Sequence, residues 1–252
     1  MKVFSSVVLE RRNLYLTTAS EEVAVAERKK KTGTPDSIWS ESFAKMAGKE
    51  GEWIEDGKLL RAGISVVVLV PIENGLGVIL NRFDAGHPIA AGKLSTPAGI
   101  WEGKQSLLDS ALSELGEEVI IADRECGFWT YKGQLLAEEW VKEYAFSHGM
   151  KTVDFKVEIY SLEVEGNFEI YLDGEYQGNA LLAYEPETGG IEILFVFETF
   201  VSVNGMIVDG ERFKDQWLDR EVGVYTLEQL LNEDKKTSKV ETVELFLQSM
   251  LL

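Results

Sequence analysis

Residues 93–121 read KLSTPAGIWEGKQSLLDSALSELGEEVII, and this stretch decides how the rest of the chain is interpreted. A short strand leads into Pro97-Ala98-Gly99, and a loop follows through Gly103. Ser106 then starts a helix, with Asp109 three residues later, a capping pattern in which the Ser oxygen accepts a first-turn N–H. At about 100° per residue, one stripe of this helix is apolar and is expected to be buried. The stripe consists of Leu108, Ala111, Leu112, Leu115 and Val119.

Three carboxylates follow a neighbouring stripe of the same helix. Glu114, Glu117 and Glu118 are spaced so that they repel one another, and they lie toward the negative C-terminal end of the helix. Gly116 adds a cost of about 1 kcal/mol relative to Ala in the same turn. Local stability does not favour this arrangement, whereas a bound divalent cation accounts for it, because hard cations such as Mg²⁺ take carboxylate oxygens.

This stretch resembles the Nudix box, whose pattern is G-x5-E-x7-R-E-U-x-E-E-x-G-U with U aliphatic. Gly99 matches the first Gly, Glu114-Leu115 the E-U, Glu117-Glu118 the E-E, and Ile121 the last aliphatic position. Three positions depart from the pattern, and all three carry scaffold residues in the family rather than carboxylate ligands. They are Gln105 for the first Glu, Ser113 for the Arg and Ile120 for the second Gly.

Two of these departures are interpreted as one event. The first Glu and the Arg commonly pair in the family, so losing only one of them would leave an unpaired charge. Gln105 and Ser113 replace both with neutral polar residues.

The resemblance implies an α/β fold, a Nudix-like α/β/α sandwich with a mixed β-sheet. It implies hydrolysis of a nucleoside diphosphate linked to another moiety, assisted by Mg²⁺ or Mn²⁺. Glu114, Glu117 and Glu118 would act as catalytic residues and metal ligands, with the Gly99 carbonyl as a further ligand. One of the three carboxylates, or Glu221, would serve as the base, and the sequence leaves that choice open.

The same resemblance indicates substrate contacts. Family members often carry basic residues near the end of the second strand, which makes Arg82 and Lys93 candidates, together with Glu102 of the box loop. Each of the two basic residues fits a plain surface charge equally well.

Two other functional classes remain open. Acidic runs on helices are usually solvated faces, so a purely structural acidic scaffold is one reading, although it leaves the three glutamates unexplained. A Nudix-like domain that has lost turnover and binds a nucleotide or a partner is the other, and the departures at Gln105, Ser113 and Ile120 favour it.

Charge and composition exclude several classes of partner. The net charge is −18, from 43 acidic and 25 basic residues among 252, which argues against binding nucleic acid or an anionic membrane. A small nucleotide-type substrate remains compatible, because bound cations invert the local field. A single cysteine, no long apolar run and no signal-peptide pattern predict a cytoplasmic protein.

The remaining chain is organised around this box. Residues 1–61 are expected to form an N-terminal extension and 62–252 the Nudix-like domain, in which an apolar strand from Ala62 and the Asn74-Gly75 turn form a hairpin. Residues 123–190 are expected to be a largely β insertion that serves as a lid, a specificity element or a homodimer surface. Thr226 is predicted to cap a late helix, and a final helix from Thr237 is predicted to bury Val240, Val243, Leu247 and Met250.

Overall fold

The structure is a computed structural model that describes thirteen ranges of the chain. They are residues 6–10, 13–17, 60–85, 90–99, 105–122, 126–137, 139–147, 152–163, 168–172, 175–185, 190–203, 206–209 and 221–250. The chain divides into two compact units. The first comprises Met1–Ile64, Gly99–Ser110 and Glu163–Phe195; the second comprises Ser65–Ala98, Ala111–Leu162 and Val196–Leu252.

Strands and helices are interleaved along the described ranges. The strands are β1 (Ser6–Glu10), β2 (Asn13–Thr17), β3 (Leu60–Ile72), β4 (Gly75–Arg82), β5 (Leu94–Ser95), β6 (Ala98–Gly99), β7 (Val119–Ala122), β8 (Cys126–Tyr131), β9 (Gln134–Leu135), β10 (Thr152–Ser161), β11 (Phe168–Leu172), β12 (Glu175–Glu185), β13 (Gly190–Glu198), β14 (Met206–Asp209) and β15 (Glu221–Thr226). The helices are α1 (Leu107–Glu118), α2 (Glu139–Ser147), α3 (Leu227–Leu231) and α4 (Ser238–Met250).

In the second unit, β4 has strand neighbours that position the site. It pairs antiparallel with β3, with β15 and with the short β5, where Asn81 lies opposite Ser95. Elsewhere in this unit β8 pairs parallel with β10 and antiparallel with β7 and β9. The sheet is therefore mixed, as predicted, and the α/β class with helices beside a mixed sheet is confirmed.

The described pairings of the first unit are antiparallel. β1 pairs with β2, β2 with the start of β3, β11 with β12, and β12 with β13. Between residues 123 and 190 the described ranges hold strands β8 to β12 and the single helix α2, so this segment is largely β as expected. The assignment of 1–61 as an extension and 62–252 as one domain stays a prediction.

The apolar run of β3 forms the centre of the core. Its side chains from Ile64 to Val70 are buried, which fits a strand covered on both faces rather than an alternating surface strand. β3 passes into β4 through a turn at Glu73 and Asn74, one residue earlier than the predicted Asn74-Gly75, and Gly75 pairs with Ile72 at the start of β4 with φ +136°. That backbone conformation suits glycine, and the hairpin predicted from the sequence is confirmed.

The final helix differs from its prediction at one position. Val240, Val243 and Leu247 are buried as expected, but Met250 is 40% exposed, so its assignment to the apolar stripe is wrong. Phe246 is buried instead. Met250 is the last residue of α4, beyond the turn that packs against the core. No helix within the described ranges has the length and apolarity needed to cross a membrane.

Candidate functional site

The N-terminus of α1 is held by two side-chain acceptors. Ser106 Oγ accepts a hydrogen bond from the Asp109 N–H at 3.0 Å, which confirms the predicted cap. Gln177 Oε1, from β12, accepts from the Leu107 N–H at 3.1 Å. The second cap comes from 70 residues further along the chain, and no local pattern in the sequence indicates it.

The predicted apolar stripe of α1 is buried at Ala111, Leu112 and Leu115. It differs from the prediction at its two ends: Leu107 is buried whereas Leu108 is only partly buried, and Val119, although buried, is the first residue of β7 and not part of the helix. The structure also explains Gly116. A Cβ placed there would lie 2.4 Å from the Leu136 carbonyl oxygen, so only glycine permits this approach of backbone to helix.

Glu118 is the most enclosed carboxylate of the box. Its residue is 1% exposed. Its Oε2 accepts a hydrogen bond from Asn81 Nδ2 of β4 at 2.9 Å and another from the Ala98 N–H at 3.3 Å. One oxygen thus joins the end of the box helix to the neighbouring strand and to the Pro97-Ala98-Gly99 segment, through donors that carry no charge.

The other two box glutamates are half-buried on α1. Glu117 Oε1 accepts from Ser113 Oγ at 3.4 Å, so the residue that stands where the family has Arg contacts a proposed ligand weakly. Within the described ranges, no set of three or more His, Cys, Asp or Glu side chains is arranged to hold a metal ion. The assignment of Glu114, Glu117 and Glu118 as catalytic residues and ligands stays a prediction.

The chemistry of the oxygen donors near Glu118 nevertheless suits a hard cation. Asn81 Oδ1 and Ser95 Oγ are buried and have no hydrogen-bond partner among the described residues. Amide, hydroxyl and carboxylate oxygens are the ligand types that Mg²⁺ and Mn²⁺ prefer. The donor set therefore fits the implied cation in kind.

The other predicted site residues are distributed over several strands and loops. Gly99 ends β6, Lys93 precedes β5, and Glu102 lies outside the described residues. Their assigned roles stay predictions, as does a role of Glu221 as base; Glu221 is exposed at the start of β15.

Arg82 lies in an open cleft of about 540 Å³ in the second unit. Arg82 Nη2 pairs with Glu233 Oε2 at 2.5 Å, and Nη1 donates to the Gly92 carbonyl at 3.0 Å. The Arg82 hydrogen bond, followed by that from the Lys235 backbone, lowers the pKa of Glu233. The cleft is lined by Arg82, Tyr225, Glu228, Gln229, Asn232 and Glu233.

Most groups of this cleft already serve the local structure. Thr226 Oγ1 accepts from the Gln229 N–H while Gln229 Oε1 accepts from the Thr226 N–H, a complete capping box that confirms the predicted cap of α3. Burial raises the pKa of the Tyr225 hydroxyl, and the nearby Arg82 guanidinium opposes that rise. Contact of Arg82 with substrate stays a prediction.

Comparison with known proteins finds likeness in structure alone. No protein-family model and no curated protein matches the chain. The Nudix domain of NrtR from Shewanella oneidensis, solved in complex with ADP ribose, is 11% identical over 82% of this chain and 97% of that one, with a TM-score of 0.42. The MutT protein of Methanosarcina mazei is 16% identical over 75% and 94%, with a TM-score of 0.36.

A MutT/Nudix family protein of Enterococcus faecalis is 14% identical over 90% of this chain and 72% of that one, with a TM-score of 0.37. The sequence of the box resembles the Nudix family, and the solved structures that the chain resembles carry the names Nudix or MutT. All three TM-scores lie below 0.5, so the likeness is a resemblance and no more.

Proposed function

We propose that this chain hydrolyses a nucleoside diphosphate linked to another moiety, with Mg²⁺ or Mn²⁺ as cofactor. The observation that carries the proposal is Glu118, a carboxylate buried at the end of the box helix and held by the amide of Asn81 and the Ala98 N–H. Burying a carboxylate costs several kcal/mol, roughly, unless attraction to other groups offsets that cost. A role in binding a cation fits a carboxylate at this buried position, next to the Asn81 Oδ1 that has no hydrogen-bond partner among the described residues.

The proposed cation would be held by Glu118 with Glu117 and Glu114 of the same helix, and the Gly99 carbonyl is a further proposed ligand. When bound, it would neutralise charge on the diphosphate and make water a better nucleophile. Asn81 and the Ala98 N–H hold Glu118 in one orientation, and the packing of Gly116 against Leu136 fixes the turn of α1 that carries the carboxylates.

The remaining roles follow the sequence resemblance. Arg82, Lys93 and Glu102 are the proposed substrate contacts, and one of the box carboxylates or Glu221 is the proposed base. The proposed ligand class is a small nucleotide rather than nucleic acid, which agrees with the net charge of −18. A cytoplasmic location and a homodimer are part of the same proposal.

The test is a hydrolysis assay on a panel of nucleoside diphosphate compounds with Mn²⁺ and with Mg²⁺. Release of phosphate or of a nucleoside monophosphate is the readout, and the panel includes ADP-ribose as one nucleoside diphosphate linked to another moiety. Glu117→Gln and Glu118→Gln should each lower turnover by about 100-fold or more, since loss of a group that only supports a ligand already costs about 10–100-fold.

The matched control is Glu139→Gln on α2, where the carboxylate is 77% exposed and pairs with Lys142. This variant should hydrolyse the same compounds at the rate of the unmodified protein. Turnover that persists in both box variants would show that the chemistry lies elsewhere.

A second candidate is a nucleotide-binding or interaction module without turnover. Ser113 favours this candidate, because in place of the family's Arg it supplies only a hydroxyl, and its contact with Glu117 is long and weak at 3.4 Å. In that case the panel would include compounds that raise the melting temperature in the presence of a divalent cation but are not cleaved.

A further inference from the structure

Asn81 is a buried polar residue at the end of an apolar strand. The preceding residues of β4, Val78, Ile79 and Leu80, are fully buried, and Asn81 is 1% exposed. Its Nδ2 donates to Glu118 Oε2 at 2.9 Å across 37 residues of sequence. A buried amide is costly unless it is hydrogen-bonded, so its partner accounts for its presence.

A second residue lies on the same face of the sheet. Ser95 of β5 is directly opposite Asn81 in the strand register, and residues opposite each other project to the same side. Ser95 is fully buried, and neither its Oγ nor Asn81 Oδ1 has a hydrogen-bond partner among the described residues. Two buried oxygens without a described partner, one on the residue that holds Glu118 and one on the residue opposite it, are not explained by stability, since apolar residues of similar shape would fill the same space.

The chemistry of the Asn81 donor suits a site for a cation. An amide donates a hydrogen bond to a carboxylate and fixes its orientation without cancelling its charge. A Lys or Arg at this position would hold Glu118 equally well but would neutralise it and repel a cation.

We propose that Asn81 is the positioning residue for Glu118. It holds the carboxylate in the orientation that the cation requires and brings no positive charge of its own to it. The inference rests on the proposed function for its catalytic consequence, while the positioning itself is a property of the cation-free protein. In this role Asn81 acts through Glu118, by way of its Nδ2.

The first arm of the test needs neither cation nor substrate. Thermal unfolding is measured for the unmodified protein, Asn81→Leu, Glu118→Met and the double variant, all in EDTA. Asn81→Leu leaves Glu118 buried with one donor fewer and should lower the melting temperature by about 5 °C. The double variant should be no less stable than the less stable of the two single variants, because it removes both polar groups.

Additive losses in this cycle would overturn the positioning role. If Asn81→Leu does not fold, Asn81→Ser replaces it in both arms, because the shorter hydroxyl cannot reach Glu118. Asn179→Leu is the control, since Asn179 of β12 also carries a buried oxygen without a described partner but belongs to the first unit.

The second arm measures binding of Mn²⁺ alone by calorimetry. Asn81→Leu should weaken Mn²⁺ binding by about 10–100-fold, as is typical when a residue supporting a metal ligand is lost, and Asn179→Leu should not. Equal Mn²⁺ affinity in Asn81→Leu and the unmodified protein would overturn the proposal. If the unmodified protein binds no Mn²⁺, the proposed function fails, and the unfolding cycle alone decides whether Asn81 positions Glu118.

Discussion

Asn81 and Arg82 are neighbours on β4, and they occupy two very different environments. Successive residues of a strand project to opposite faces of the sheet. Asn81 is 1% exposed and donates to the buried carboxylate of Glu118. The Arg82 side chain is 28% exposed and pairs with Glu233, whose side chain is 22% exposed, at the open cleft.

The contrast separates a buried carboxylate from an arginine whose position is already explained by its ion pair, whatever contact Arg82 makes with substrate. Arg82 and Glu233 neutralise each other in contact with solvent, and such pairs are common and contribute little, roughly 0–1 kcal/mol. Glu118 is almost fully buried and accepts from an amide and a backbone N–H, in a place where burying a charge is costly. We therefore place the chemistry around Asn81 and Glu118, which we call the buried side of β4. The surroundings of Arg82 at the solvent-accessible end of the strand, which we call the open side, show ordinary structural contacts, although Leu80 on the same face is buried.

The largest expected loss of stability comes from a substitution in α1, the helix that carries Glu118. Gly116→Ala places a Cβ against the Leu136 backbone, so α1 must shift. We expect the free energy of unfolding to fall by about 3 kcal/mol, at the upper end of what overpacking costs. An exposed helical site would instead gain about 1 kcal/mol from the same change. Chemical denaturation measures whether the free energy of unfolding falls or rises in Gly116→Ala.

Gly133→Ala is the control for Gly116→Ala. Gly133 has φ +76°, and no atom lies within 4 Å of a Cβ built there, so only backbone conformation is strained. We expect Gly133→Ala to lower the free energy of unfolding by about 1–2 kcal/mol. A gain in stability for Gly116→Ala would mean that the helix does not approach Leu136 in this way.

A smaller effect is expected on the open side. Arg82→Met removes the ion pair with Glu233 and the hydrogen bond to Gly92, and it should lower the free energy of unfolding by about 1 kcal/mol because the pair is partly exposed. Lys142→Met is the control, since Lys142 pairs with the more exposed Glu139 and should cost less. If Arg82→Met lowered the free energy of unfolding by several kcal/mol, the open side would not differ from the buried side in the way described.

The smallest effect is the pH dependence of that ion pair. Arg82 lowers the pKa of Glu233 below its usual 4.5, so the pair stabilises the fold above that pH, and this contribution is lost as pH falls through the lowered pKa. The difference in unfolding free energy between the unmodified protein and Arg82→Met should therefore shrink as pH falls from 5 to about 3. Urea titrations across this range measure it, and a constant difference would contradict the assignment.

Local patterns predicted much of this region. The spacing of Ala111, Leu112 and Leu115, with Ser106 as cap, predicted α1, and Asn74-Gly75 predicted the β3–β4 hairpin. Each depends on residues within a turn or two of one another. For that reason the signal is present in a single sequence.

Features that depend on distant partners could not be predicted. The sequence marks Gly116 as a cost, and only the approach of the Leu136 backbone explains it. Gln177 caps α1 from 70 residues away, and Asn81 reaches Glu118 across 37. For Asn81 the sequence held one faint signal, a polar residue directly after the apolar run Val78 to Leu80, but nothing in the chain identifies its partner.

The central claim is that the buried side of β4 binds a divalent cation through Glu118 and the open side does not. Electron paramagnetic resonance of free Mn²⁺ measures this directly, in titrations of the unmodified protein, Glu118→Gln and Arg82→Met. The Gln oxygen can still accept from Asn81 and Ala98, so Glu118→Gln removes charge with little change of shape. We expect saturable binding by the unmodified protein, equal binding by Arg82→Met, and binding at least about tenfold weaker in Glu118→Gln. Equal affinity in Glu118→Gln, or no saturable binding by the unmodified protein, would contradict the claim.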